Sequence, residues 1–379
     1  MYRSFMIKNF RCFGELELKP LERVNLIVGM NNVGKTALLE ALFLHVGPNN
    51  PGLSLAINAF RGIERFPVDP EEIWGWLFFD KRVSETIELT SSGEHDGRHS
   101  LRIYLVEPQE SRMVLGDTGP TGPTGPQDRM GPQKPWGASP DETAFSKAIG
   151  SLTTVAGPRE LKLEYQDAAG QIGISRAFIV PPNEVKTEHA QLGPLPMGVF
   201  LGTHFRSLQE DAVRFSNLER VRRQDEVLTA LQILEPRLSR LAVLVTSGVP
   251  MVCGDVGLET LVPLPLMGEG MVRLLSMVLA IANASGGTVL IDEIENGLHY
   301  SVMIEVWKAI AHAARQSNAQ IFATTHSWEC VEAAHEAFMA AETYDFRLHR
   351  LERVGHEIRS VTYDQKTLAT AIATGLEVR

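Results

Sequence analysis

The sequence predicts an α/β protein built on a mostly parallel core sheet, and three observations predict it. The run Val24–Val28 (VNLIV) leads directly into Gly29-Met-Asn-Asn-Val-Gly34-Lys35-Thr36 and then into a helical pattern. A second apolar run, Thr288–Asp292 (TVLID), ends in two acids, Asp292 and Glu293. Strand-like and helix-like patterns then alternate through the last third of the chain. That alternation implies parallel strands covered by helices on both faces.

The elements follow in order. Ser4–Phe10 and Glu15–Lys19 show partial alternation, as in strands joined by a turn at Phe13–Gly14. Val24–Val28 reads as a strand buried on both faces. Thr36–Val46 (TALLEALFLHV) has apolar residues at helical spacing, and Pro48 ends it. Glu71–Phe79 suggests a short helix. Glu85–Thr90, Leu101–Val106, Glu160–Tyr165 and Ile172–Val180 suggest an antiparallel sheet. Between them Gly116–Pro140 is rich in Pro and Gly and reads as a flexible loop; its Gly-first triplets are too few for a collagen helix. Phe205–Arg240 turns helical and charged, with Pro236 kinking or ending it, and the helix as far as Pro236 would be roughly 45–50 Å long. Met271–Ala284, Leu298–Arg315 and Trp328–Ala341 suggest helices around the strands Thr288–Asp292 and Gln320–Thr324. Phe346–Arg350, Ile358–Tyr363 and a short helix finish the pattern. The expected division is therefore a core from 1–46 and 241–379, a β-rich insertion over 47–204 with its loop at 116–140, and a helical arm over 205–240.

Bulk properties narrow the classes. The 379 residues carry 36 Lys and Arg against 46 Asp and Glu, a net charge of −10, so no global basic field draws the chain to nucleic acid. Hydrophobic content of 44% is that of an ordinary globular protein with a sizeable core. Cys12, Cys253 and Cys330 are scattered and form no zinc-type spacing with histidines. A reduced, cytoplasmic setting is the simplest expectation. No apolar run is long enough for a membrane span, and the N-terminus lacks the apolar stretch of a secretory signal.

Four segments carry chemistry. Gly29–Thr36 fits G-x-x-x-x-G-K-[ST]. Its glycines let the backbone curl so that successive N–H groups of Gly29, Asn31, Asn32, Val33, Gly34 and Ala37 face phosphate, and the following helix adds its positive end. Lys35 would reach the outer phosphates of ATP and Thr36 would bind Mg²⁺. Two carboxylates at the exit of a buried strand need compensation, which Mg²⁺ supplies for Asp292. Glu293 then stands where it can orient or deprotonate a water. In Gln320–Ser327 (QIFATTHS), His326 lies at a strand's C-terminal edge, where ligands of open α/β sheets bind, and suits a γ-phosphate contact. In Leu264–Arg273 (LPLMGEGMVR), Gly268, Glu269 and Gly270 open a helix with bare N–H groups, a second anion-binding arrangement.

In this order the segments resemble the ATPase heads of the ABC superfamily. The likeness is to the branch of the structural-maintenance-of-chromosomes proteins, the gap-repair recombination ATPase and the overcoming-lysogenisation-defect nucleases, and within it to small stand-alone AAA-family ATPases. The wording of Ile7-Lys-Asn-Phe-Arg-Cys-Phe13, Val24–Thr36 and Ile291-Asp-Glu-Ile-Glu-Asn-Gly-Leu-His299 is similar to that group, and the likeness covers roughly 1–46 and 240–340. It implies an ABC-type head that sandwiches two ATP molecules in a homodimer or higher homo-oligomer. Each nucleotide would be held by one copy's phosphate loop and the other's Gly268–Gly270, with Asn296–His299 crossing the interface and Asn9 and Arg11 near the nucleotide. One departure is that Gly268 stands where the superfamily's signature carries a serine, which implies weaker closure or slower turnover. The nuclease domain of one relative and the long coiled coil of another are not matched here. The implied function is an ATP-driven switch for a separately encoded protein effector, in a phage-defence or toxin-type setting. The second candidate is an ATP-dependent DNA-binding repair factor, which needs a basic groove fed by Arg214, Arg220, Arg222 and Arg223. No direct membrane contact is expected, since the sequence has no run long and apolar enough to span a bilayer.

Overall fold

The computed structural model describes residues 1–62, 70–93, 97–106, 160–180, 184–203 and 207–376. The Pro/Gly segment 116–140 lies outside them. The core is a six-stranded sheet in the order β16-β15-β3-β14-β13-β9, formed by Glu357–Tyr363, Phe346–Val354, Val24–Val28, Gln320–Thr324, Thr288–Ile291 and Gly198–Leu201. All neighbours run parallel except β16, which returns antiparallel from β15. Every residue of β3, β13 and β14 is buried, which is why each reads as a near-continuous apolar run.

Register decides where the chemistry lies. Ile321 pairs with Val24, and Ile291 with both Ala323 and Leu201. The strands are parallel, so Gly29, Asp292 and the residues after Thr324 leave the sheet at one edge, the C-terminal one.

Helix α1 (Lys35–Val46) covers one face of this sheet. Its apolar side chains join a core with Phe5 and Ile7 of β1 (Tyr2–Phe10), Leu16 and Leu18 of β2 (Phe13–Leu18) and Ile87 and Leu89 of β4 (Ile87–Gly93). These strands belong to a seven-stranded antiparallel sheet, β2-β1-β4-β5-β6-β7-β8, completed by Arg98–Val106, Glu160–Gln166, Ile172–Val180 and Glu184–Glu188. Between α1 and β4 come two short helices, α2 (Leu53–Ala59) and α3 (Pro70–Trp74).

The opposite face of the core sheet is covered from the C-terminal half. After α4 (Leu208–Arg220) and α5 (Gln224–Leu231) come α6 (Glu269–Asn283), α7 (Met303–Gln316), α8 (Trp328–Met339) and α9 (Gln365–Ala373). Residues 271–282 of α6 are all buried, so this helix presents no face to solvent and forms the centre of the second core. A small sheet, β10-β11-β12 (Arg240–Thr246, Val249–Asp255, Val262–Pro263), precedes α6.

The structure differs from the sequence reading at three places. Segment 205–240 is no continuous helix. The chain breaks at Val221–Arg223, with Arg222 left-handed at φ 60°, and α4 and α5 fold onto α6 through Phe215, Leu218, Val227 and Leu231. Burial of those four side chains outweighs continuation of the helix, so this segment does not project as an arm. Strands β1 and β2, placed with the core by their position in the chain, pair instead with β4 in the antiparallel sheet. Strand β9, inside the segment read as the insertion, is an edge strand of the core.

Candidate phosphate site

The loop after β3 closes against the antiparallel sheet. Gly34 has φ 90°, and a Cβ there would lie 2.5 Å from Cys12 Sγ and 2.7 Å from the Phe13 ring, so only glycine fits. Asn32 is also left-handed, at φ 63°, and its carbonyl accepts a bond of 3.2 Å from Arg353 of β15. Val33 and Ala37 are buried, while Met30, Asn31 and Asn32 are exposed. Lys35 Nζ donates to the carbonyls of Gly29 (2.7 Å) and Met30 (3.1 Å) and so folds over its own loop. Partial burial lowers its pKa, and the carboxylates of Asp292, Glu293 and Glu295 oppose that shift.

Asp292 joins the two halves of the site. Thr36 Oγ1 donates to its carboxylate at 3.0 and 3.2 Å, and Thr324 Oγ1 donates to Oδ1 at 2.6 Å. The backbone N–H of Asp292 is bound by Leu201 of β9 at 2.9 Å. Asp292 is 7% exposed, so those contacts are what stabilise a carboxylate at the end of a buried strand. The oxygens of Thr36 and Asp292 fit Mg²⁺: two cis ligands of an octahedral ion with bonds near 2.1 Å sit about 3.0 Å apart, and these oxygens are 3.0 Å apart.

Glu293 is held through its backbone. Its φ is 48°, a left-handed value that a non-glycine residue adopts only when its surroundings impose it. Its N–H donates to Thr324 Oγ1 at 2.8 Å. Arg273, 1% exposed, donates from Nη2 to the carbonyls of Asp292 (2.6 Å) and Glu293 (3.2 Å), and from Nη1 to that of Gly202 (3.1 Å). Helix α6 therefore fixes both acids from behind. His326 stands beside them with its side chain 57% exposed, Nδ1 lying 3.3 Å from Glu295 Oε1.

The remaining expected residues lie on the periphery. Gly268 (φ 121°) precedes α6, and a Cβ on Gly270 would come within 2.6 Å of the Gly297 carbonyl. Gly268–Gly270 thus backs onto residues 297–298 of its own chain, with Glu269 packed against Gly297. Arg11, with φ 50°, meets Glu40 of α1 at 2.6 Å and donates to Asn58 at 2.8 Å; burial lowers its pKa despite Glu40. Asn9, with φ 55°, donates to the Thr86 carbonyl at 3.1 Å. Both shape the turn that closes on Gly34, and their side chains are bound within the fold. Sequence reasoning assigned no role to Thr324, Arg273, Glu295 or Glu40. The available signal was polarity inside apolar elements, above all an arginine within the run MVRLLSMVLAIA, where the only other polar residue is Ser276.

Known proteins match both ends of the chain. A family model described as an AAA ATPase domain matches residues 1–105, and one described as "AAA domain, putative AbiEii toxin, Type IV TA system" matches residues 175–331. A Helicobacter pylori protein named ATP/GTP phosphatase is 23% identical over 337 residues, covering 88% of this chain and 87% of its own. The chain is an ATPase. An uncharacterised protein of Methanocaldococcus jannaschii is 43% identical to the ATPase over 63 residues, which is 17% of this chain and 28% of that one. Among solved structures, an SMC head bound to the C-terminal winged helix of ScpA is 11% identical with a TM-score of 0.48, covering 98% of the ATPase and 99% of that chain. The Thermotoga maritima SMC head is 13% identical with a TM-score of 0.40, covering 96% and 99%. Among the described residues no helix is long and apolar enough to cross a membrane.

Proposed function

We propose that this ATPase acts in the cytoplasm as a switch, in which Mg²⁺-dependent ATP binding closes two copies head to head and hydrolysis releases them. Lys35 and the phosphate-loop N–H groups bind the outer phosphates, Thr36 and Asp292 hold the metal, Glu293 activates the water and His326 faces the terminal phosphate. Bound Mg²⁺ would neutralise phosphate charge. The carrying observation is the face that holds Gly268–Gly270 and Gly297. Beside them Leu266 and Tyr300 are 77% and 68% exposed, and Met30 of the phosphate loop is 76% exposed. Large apolar side chains standing in water beside a glycine-rich helix start and on the phosphate loop are what a second copy would cover.

The closed dimer would act on a separately encoded effector, and the toxin-type description of the family model over residues 175–331 supports a defence setting. No observation favours the repair reading. Arg214 is paired with Glu210 (3.0 Å) and Asp211 (3.6 Å), and Arg223 with Glu226 (2.8 Å), so these side chains are held along their own helices.

The test is the molar mass of Glu293→Gln by light scattering, with and without Mg-ATP. Removing the water-activating carboxylate while keeping Asp292 should trap ATP, and the mass should double only when ATP is present. A mass that ignores ATP would overturn ATP-driven association.

A further inference from the structure

Glu295 stands two residues beyond the catalytic acid and is used by none of the steps above. Its side chain is 15% exposed. Oε1 accepts the backbone N–H of His326 at 3.1 Å and lies 3.3 Å from the ring Nδ1. Oε2 is buried with no hydrogen-bond partner among the described residues. The residue is tied at its other end as well, because its own carbonyl accepts the N–H of Leu298 at 2.9 Å. Glu295 is thus a short mechanical link between the His326 ring and the Asn296–His299 segment.

A buried carboxylate with one unsatisfied oxygen is costly unless positive charge or a donated proton lies beside it. Here Nδ1 of His326 lies 3.3 Å from Oε1, the oxygen that also accepts the His326 N–H, and that backbone bond keeps the carboxylate from swinging away. With the proton on Nδ1, the opposite ring nitrogen, Nε2, is left to meet a ligand. We propose that Glu295 is a positioning residue: it fixes the ring orientation and tautomer of His326 and couples both to the Asn296–His299 segment. The inference rests on the reading that His326 faces the terminal phosphate of ATP. A second copy that displaced residues 296–299 would shift Glu295, and with it His326, so closure and ring placement would be one event.

The experiment uses the full chain as Glu295→Gln, His326→Gln and the double variant. Glutamine keeps the shape and an acceptor for the His326 N–H but removes the charge; if it fails to fold, Glu295→Asp is read in the same way. Steady-state ATP hydrolysis and ¹⁵N NMR of the ring nitrogens are measured, the His326 signals being those missing from His326→Gln. Glu295→Gln should lower kcat about tenfold with KM within about twofold, the scale seen when an orienting partner is lost. The Nδ1–H signature should also weaken. The double variant should be no slower than His326→Gln. If His326→Gln is slow while Glu295→Gln keeps both rate and tautomer, the coupling is overturned and the role of His326 stands. If His326→Gln turns over at the parent rate, the reading of His326 fails and the coupling with it.

Discussion

One hydroxyl, that of Thr324, donates to Asp292 and accepts from the N–H of Glu293, at 2.6 and 2.8 Å. Thr324→Val keeps the shape of a fully buried β14 residue but leaves a buried carboxylate oxygen and an amide without their partner. Losing such a bond costs about 1–3 kcal/mol, and about 1.4 kcal/mol is tenfold in rate. The expectation is a kcat reduced about tenfold or more with ATP affinity little changed, measured by steady-state kinetics beside equilibrium nucleotide binding; an unchanged kcat would remove Thr324 from the positioning of Glu293. Lys35→Ala should act on the other quantity and abolish ATP binding in the same titration. The contrast between these two residues marks what the sequence could reveal. Lys35 belongs to a local motif whose geometry is set by neighbouring glycines, so Gly29–Thr36 is readable in one line of text. Thr324, Arg273 and Glu295 act across 31, 19 and 31 residues of chain respectively, and only the parallel register and the packing of α6 bring Thr324 and Arg273 to the acids and His326 to Glu295.

Helix α4 docks on α6 through a buried polar contact, Ser276 Oγ to Asp211 Oδ2 at 2.5 Å. Burial pushes the Asp211 carboxyl up to about 6 from an ordinary 3.8, although Ser276 and Arg214 pull it down. The folded state therefore binds more protons than the unfolded one between about pH 4 and pH 6, and stability falls as pH rises through that window. Asp211→Asn keeps an acceptor for Ser276 and removes the buried charge. The variant should be more stable than the parent by about 2–3 kcal/mol at pH 8, with the difference vanishing near pH 4. Denaturant unfolding at both pH values checks this, and a variant less stable at pH 8 would mean that the Arg214 pair outweighs the burial of charge. The same interface explains why segment 205–240 misleads as text: its periodicity suits a helix throughout, and the break at Arg222 follows from docking onto α6. Strands buried on both faces, β3, β13 and β14, are legible as apolar runs. Strand β9 is four residues long, and its place beside β13 is fixed by a partner about ninety residues later in the chain.

Among the described residues two histidines are buried, His45 and His349. His45 of α1 meets Ser91 of β4 at 2.8 Å, at the seam between the core sheet and the antiparallel sheet. His349 of β15 meets Thr362 of β16 at 3.2 Å, at the far edge of the core. Burial lowers each to about 3 from an ordinary 6.5, with His99 adding to the effect on His45 and Arg347 to that on His349. A lowered folded pKa means that the unfolded chain binds more protons between about pH 6.5 and pH 3. Stability is thus fully present above pH 6.5 and is lost as pH falls through that interval. At pH 4.5 each histidine is about two units below its free pKa, so the pair withdraws about 5 kcal/mol, as much as the whole stability of a marginal domain. The two histidines sit in different elements, α1 and β15, and the loss should appear as one global weakening rather than the loosening of a single element. Urea unfolding from pH 7.5 to pH 4.5 should show a steep decline in the parent and a clearly flatter one in the His45→Gln, His349→Gln double variant. Equal slopes in the two proteins would mean that the acid sensitivity comes from groups other than these two histidines.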